Sequence, residues 1–121
     1  MKKKTQAQLK KELWKWFSLY IRKRDKGICF VCNRKCEGGG YHASHFIAKS
    51  IGGLALYFHE ENVHGCCYNC NINLGGNLYE YGKKLGEEKV QELYKIKNQV
   101  TTKNFPFEEK IEYYKELLKK M

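Results

Sequence analysis

EENVHGCCYNCN, residues 60–71, places three cysteines, one histidine and three asparagines in twelve positions. Side chains this small and polar build a poor core, so the stretch reads as a place where the chain holds something. Cys67-Tyr68-Asn69-Cys70 is a C-x-x-C pair, and a second lies upstream in Cys29-Phe30-Val31-Cys32. A C-x-x-C turn aims two thiolates at one ion, and two such turns complete a tetrahedral shell of four sulfurs at ~2.3 Å each. A shell filled by thiolates has no open position, so the metal expected here is structural Zn2+ on Cys29, Cys32, Cys67 and Cys70. Cys66 could replace Cys67, and Cys36 could replace one ligand; otherwise both are ordinary small residues.

A chain of 121 residues is expected to form a single domain, 1–121, with a modest core that a metal staple would reinforce. The net charge is +10 and unevenly spread. The first 26 residues hold ten Lys or Arg against Glu12 and Asp25. A basic patch of this kind fits a polyanion, with DNA as the expected partner; the bland alternative is a solvated helix face. No apolar run reaches ~18 residues, so no transmembrane helix is expected, and a membrane-surface helix is disfavoured because nothing else in the sequence suggests lipid. The start MKKKTQAQLKKELWKW lacks an apolar signal region, so a reducing cytoplasm is expected, where six cysteines favour metal over disulfides.

Along the chain, Leu9, Leu13, Trp16, Phe17, Tyr20 and Ile21 form the stripe of an amphipathic helix within the basic segment 1–26. YHASHFIAK (41–49) and LALYF (54–58) read as two strands of a hairpin turned by Ile51-Gly52-Gly53. Cys67–Tyr81 is expected to open into a helix. Further helices are predicted over Glu87–Gln99 and Phe107–Lys120, with acidic residues early and lysines late. The chain thus divides into a basic helix (1–26), a metal-stapled core (28–82) and C-terminal helices (86–120), an α+β arrangement.

With zinc on the cysteines, His42, His45, His59, His64 and the asparagines are free for other work. His45 is placed on the first strand, Asn62 after the second with His59 and His64 in the same loop, and Asn71 at a helix start. The metal and the hairpin are expected to bring His45, Asn62 and Asn71 together. On this H…N…N order interleaved with C-x-x-C pairs, the chain resembles the HNH (ββα-metal) nucleases. More narrowly, it resembles the NinG (Rap) recombination endonucleases of lambda-like phages. The segments that carry the resemblance are WFSLYIRKRD (16–25), CFVC (29–32), SHFIAKS (44–50), ALYFHEENVHGCCYNCN (55–71), GGN (75–77) and GEEKVQEL (86–93). It implies a ββα core with structural zinc, Mg2+- or Mn2+-dependent DNA cleavage, branched recombination intermediates as substrate, and a host bacterial cytoplasm as location.

The chemistry needs a base to deprotonate water and a cation to take up developing charge. His45 is the candidate general base. Asn62, whose amide cannot act as a base, would orient that imidazole or pin its loop. Asn71 would offer its carbonyl oxygen to a hard divalent cation, with Asn77 a weaker candidate. Ser44 stands where HNH enzymes commonly carry an acidic or histidine ligand. His42 is the substitute, but residues three apart on a regular strand face opposite ways, so reaching the site of His45 requires a bulge near Ala43. Lys15, Arg22, Lys23, Arg24 and Lys49 are the candidate DNA contacts, made to phosphates. Tyr57 replaces an arginine common in the resembled family, which removes one expected phosphate contact. A homodimer is suggested by the two-fold symmetry of a junction, with Tyr113, Tyr114 and Leu117 as the surface. The competing readings are a non-catalytic zinc-stabilised DNA-binding protein, distinguished by lack of cleavage, and a zinc-stabilised adaptor, distinguished by lack of salt-dependent DNA binding.

Overall fold

The computed structural model describes residues 3–36, 39–97 and 105–121. Its elements run α1 (Gln6–Arg24), β1 (Tyr41–His45), α2 (Lys49–Tyr57), β2 (Val63–Cys67), a π-helical turn (Asn69–Asn73), α3 (Leu78–Leu85), α4 (Glu87–Lys97) and α5 (Phe107–Lys120). The class is α+β, as the sequence predicts. No helix is long and apolar enough to cross a membrane. Asn98 and Gln99, expected to finish the fourth helix, lie outside the described residues.

α1 begins in a capping box. Thr5 Oγ1 accepts from the Gln8 amide, and the Gln8 side chain accepts from the Thr5 amide in return. Its stripe of Leu9, Leu13, Phe17 and Ile21 is buried against Phe107, Ile111 and Tyr114 of α5, with Phe58 and Val63 closing the cluster. Phe17 meets Phe58 and Tyr114 edge-on, with centroids 5.7 and 5.1 Å away. Tyr114 is therefore a core residue. Only Tyr113 of the expected tyrosine surface is largely exposed.

The second strand is not LALYF. Residues 54–57 of that stretch end α2, and the strand paired with β1 is Val63–Cys67, inside the opening stretch itself. A short apolar run fits either helix or strand. Here Leu56 is buried beside Ile47 and Leu93, which favours the helical turn. The glycines expected to turn a hairpin lie within α2. Gly53, at φ 71°, breaks that helix at a conformation few other residues accept. His64 consequently lies on β2, and Asn62 precedes that strand.

The ribbon is antiparallel and in unbroken register from Tyr41 opposite Cys67 to His45 opposite Val63. Gly65 allows Tyr41 to cross the ribbon, because a Cβ there would overlap the phenol oxygen and ring. That oxygen donates to the Ile28 carbonyl at 2.9 Å. The end of α1 grips the same ribbon. Asp25 accepts from the Gly65 amide, while Arg24 donates to the carbonyls of Glu60 and Val63 and to Asp25 itself.

Candidate functional site

The first knuckle leaves α1 through Lys26 and Gly27, both at positive φ, and turns back at Asn33, also at positive φ. The Cys29 amide donates to the Arg34 carbonyl, and the Phe30 amide reaches across to the Gly65 carbonyl at 2.8 Å. This sets Cys29 and Cys32 beside Cys67, at the end of β2, and Cys70, in the π-helical turn. The four sulfurs all lie within 4.8 Å of one another, and Cys32 and Cys67 are 3.7 Å apart. A tetrahedron with ~2.3 Å metal–sulfur bonds has sulfur–sulfur edges of about 3.8 Å, so the four cysteines can hold a structural metal such as zinc. The amides of Cys32 and Cys70 point at Cys29 Sγ and Cys67 Sγ, and Asn77 donates to Cys70 Sγ at 3.6 Å. Burial raises the Cys29 thiol, but the surrounding amides outweigh it and bring the group down to about 7.

The choice among six cysteines is thereby settled geometrically. Cys66 is fully buried, but it faces the other side of the ribbon from Cys67, and Cys36 lies against the Arg34 carbonyl. Neither joins the cluster. Asn77, a weak candidate for a second cation, serves the cysteine cage instead.

The two faces of β1 divide the remaining candidates. On one face, Asn71 sits between His42 and Ser44. Its amide nitrogen is 2.9 Å from His42 Nδ1, and its oxygen accepts from Ser44 Oγ at 2.9 Å. No bulge is needed, because Asn71 approaches the His42–Ser44 face rather than that of His45. Of the three residues expected to meet, Asn62 is tied to the chain just after His45 and Asn71 to His42 and Ser44, and among the described residues no hydrogen bond joins any two of the three.

His45 lies on the opposite face, against α1 and α2. Its ring stacks on Tyr57 at 4.5 Å and on Trp14 at 5.2 Å, and its Nε2 is 3.0 Å from the Tyr57 carbonyl. A carbonyl only accepts, so Nε2 carries the proton and Nδ1 keeps an open lone pair. Nδ1 has no protein partner among the described residues and is not sealed from solvent. Burial lowers the imidazole below the ordinary histidine range, only partly opposed by that carbonyl. The ring is therefore neutral near pH 7.

Asn62 is fully buried and holds the segment between the strands. Its oxygen accepts from the Ile47 amide at 2.8 Å, and its nitrogen donates to the carbonyls of Ile47 and Leu56 at 3.0 and 2.9 Å. It clamps the chain just after His45 to the end of α2. His64 is also built in. It stacks on Phe30 at 3.9 Å, and its Nδ1 meets the Tyr81 hydroxyl, which donates to the Ser44 carbonyl. Burial, then the Arg24 guanidinium, push the His64 imidazole down to about 4.

Of the candidate DNA contacts, Lys15, Lys23 and Lys49 are exposed. Lys15 lies over the Trp16 ring, and Arg22 donates to the Ser18 carbonyl of its own helix. Arg24 is corrected: its guanidinium is committed to Asp25 and two carbonyls, and it braces the ribbon rather than facing solvent. Sequence patterning missed Lys10 and Trp14, and it noted Tyr57 only as a lost phosphate contact, not as the ring on which His45 stacks. Lys10 and Trp14 are four apart on α1, and that spacing was the one available signal that they share a face.

No curated protein and no solved structure matches the chain significantly. The family model described as bacteriophage lambda NinG protein matches residues 1–121, and the chain belongs to that family.

Proposed function

We propose that the chain is an HNH-type, divalent-cation-dependent DNA endonuclease that cuts branched recombination intermediates, with His45 as its general base. The observation that carries this reading is the fixing of His45. A half-buried, neutral imidazole donates a hydrogen bond from Nε2 to a backbone carbonyl and keeps an accessible Nδ1 lone pair, which suits it to take a proton from water near pH 7. The Tyr57 carbonyl would steady the imidazolium as it forms. Asn62 maintains the geometry by tying the chain after His45 to the carbonyl end of α2. The proton then passes from water to His45 while the water oxygen attacks phosphorus and the leaving oxygen departs.

A catalytic Mg2+ or Mn2+ would be held by the Asn71 oxygen and His42, beside the Ser44 hydroxyl, and the scissile phosphate would have to lie across the edge of β1 to meet both this cation and His45 on the other face. When bound, it would neutralise charge developing on the leaving oxygen. These oxygen and nitrogen donors suit a hard cation, but all are uncharged. Phosphate oxygens of the substrate would have to complete the site, so affinity for free cation should be low. Lys15, Arg22, Lys23 and Lys49 would meet flanking phosphates. The cysteine cage, as zinc, would hold the ribbon, and a homodimer would match a two-fold junction in the host bacterial cytoplasm.

The absence of any carboxylate from the His42–Ser44–Asn71 cluster favours a second reading, a zinc-stabilised DNA-binding protein without cleavage. Purified protein incubated with four-way-junction, duplex and single-stranded DNA, with and without Mg2+ or Mn2+, decides between them. Cation-dependent nicking that His45→Ala abolishes while DNA binding persists is the expected result. Tight binding with no nicking by the unsubstituted protein would replace the first reading with the second.

A further inference from the structure

We propose that Lys10 of α1 and Lys49 of α2 form a two-pronged subsite for one nucleic-acid phosphodiester, seated over the Tyr57 ring beside His45. The proposal rests on the nucleic-acid reading above and deepens it. Lys10 Nζ lies 5.1 Å and Lys49 Nζ 5.6 Å from the centroid of the same phenol ring. That ring is the one on which His45 stacks. Neither lysine makes an ion pair among the described residues, although seven such pairs form elsewhere, chiefly along the helices.

Two ammonium groups held together without a carboxylate repel each other, and a ring quadrupole repays only part of that cost. The Lys10 ammonium records the conflict. It is depressed to about 8, first through the close approach of the Lys49 ammonium, then by partial burial and by the charge of that second lysine. A bound anion would reverse all of this, offering an acceptor oxygen to each Nζ and cancelling the repulsion. The ring the two lysines share packs on Trp14 and on the neutral His45, and Glu12, the acidic side chain of α1, is paired with Lys4 instead. A phosphodiester fits, having one negative charge, two non-bridging oxygens and flat bases nearby for the exposed ring edges. Lysines binding as point charges fix position without reading sequence.

Two measurements test the subsite. Protein labelled at its lysine side chains is titrated with inorganic phosphate at pH 7 and followed by NMR. The Lys10 and Lys49 signals should shift together and saturate, and Lys49→Gln should weaken the Lys10 response at least tenfold. In the second, binding of four-way-junction DNA is followed by fluorescence anisotropy across a salt series in EDTA. Lys10→Gln and Lys49→Gln should each lower the slope of log affinity against log salt by about one, whereas Lys119→Gln, far from the site, should change affinity less than twofold. Unchanged affinity and slope in both variants would overturn the subsite even if the protein nicks DNA. Loss of binding in both, with no nicking by the parent protein, would sustain the subsite and remove the nuclease reading. Independent phosphate responses of the two lysines would overturn the pairing.

Discussion

Acidification should weaken the protein through His64. The imidazole is wedged between Phe30 and Tyr81, with Asp25 and Glu61 near enough to help a charged ring but outweighed by burial and by Arg24. Its folded value of about 4 lies below the unfolded value of 6.5. The unfolded chain therefore binds the proton more readily. Stability on this account is complete above 6.5 and falls as pH drops from 6.5 toward 4. By pH 5 the linkage amounts to about 2 kcal/mol, a loss of roughly thirtyfold in the folding constant. Urea unfolding followed by Trp14 and Trp16 fluorescence at pH 7 and pH 5, with zinc in excess, measures it. His64→Gln keeps a neutral donor for Tyr81 and does not titrate, so it should be less stable at pH 7 yet lose about 2 kcal/mol less on going to pH 5. Equal pH-dependent losses in the two proteins, or an NMR midpoint for His64 near 6.5, would refute the reasoning.

Three further outcomes follow from the geometry. Cys66→Ser and Cys36→Ser should each still bind one zinc per chain by elemental analysis, whereas Cys67→Ser and Cys70→Ser should not, and a strong chelator should unfold the parent protein cooperatively. Asn62→Ala leaves the Ile47 amide and two carbonyls without their buried partner. It should cost about 3 kcal/mol or more in chemical denaturation, if the variant folds at all. Gly65→Ala would drive a methyl into the Tyr41 ring and should cost about 1–3 kcal/mol in the same assay, without altering zinc content.

The cysteine cage was legible because C-x-x-C spacing is a local property, and four such sulfurs have few other uses. α1 and α5 were legible because the stripes of Leu9, Leu13, Phe17 and of Ile111, Tyr114 repeat at the helical period. β2 was not, because Val63–Cys67 mixes cysteine, histidine and glycine with no apolar alternation, while LALYF nearby offered a more hydrophobic decoy. The relation of His45 to Asn71 was illegible for a different reason. Strand alternation separates the faces of His42 and His45, but only the path of the chain through Tyr68 and Asn69 determines which face Asn71 approaches. Lys10 gained significance only when α2 was laid beside α1, a contact that no local pattern encodes.

The pairing of α1 with α5 has a consequence for synthesis on the ribosome. Leu9, Leu13 and Phe17 are translated well before their cover, Phe107, Ile111 and Tyr114, which follows ninety or more residues later in the chain. Until α5 clears the exit tunnel, the nascent chain must carry an apolar stripe flanked by lysines.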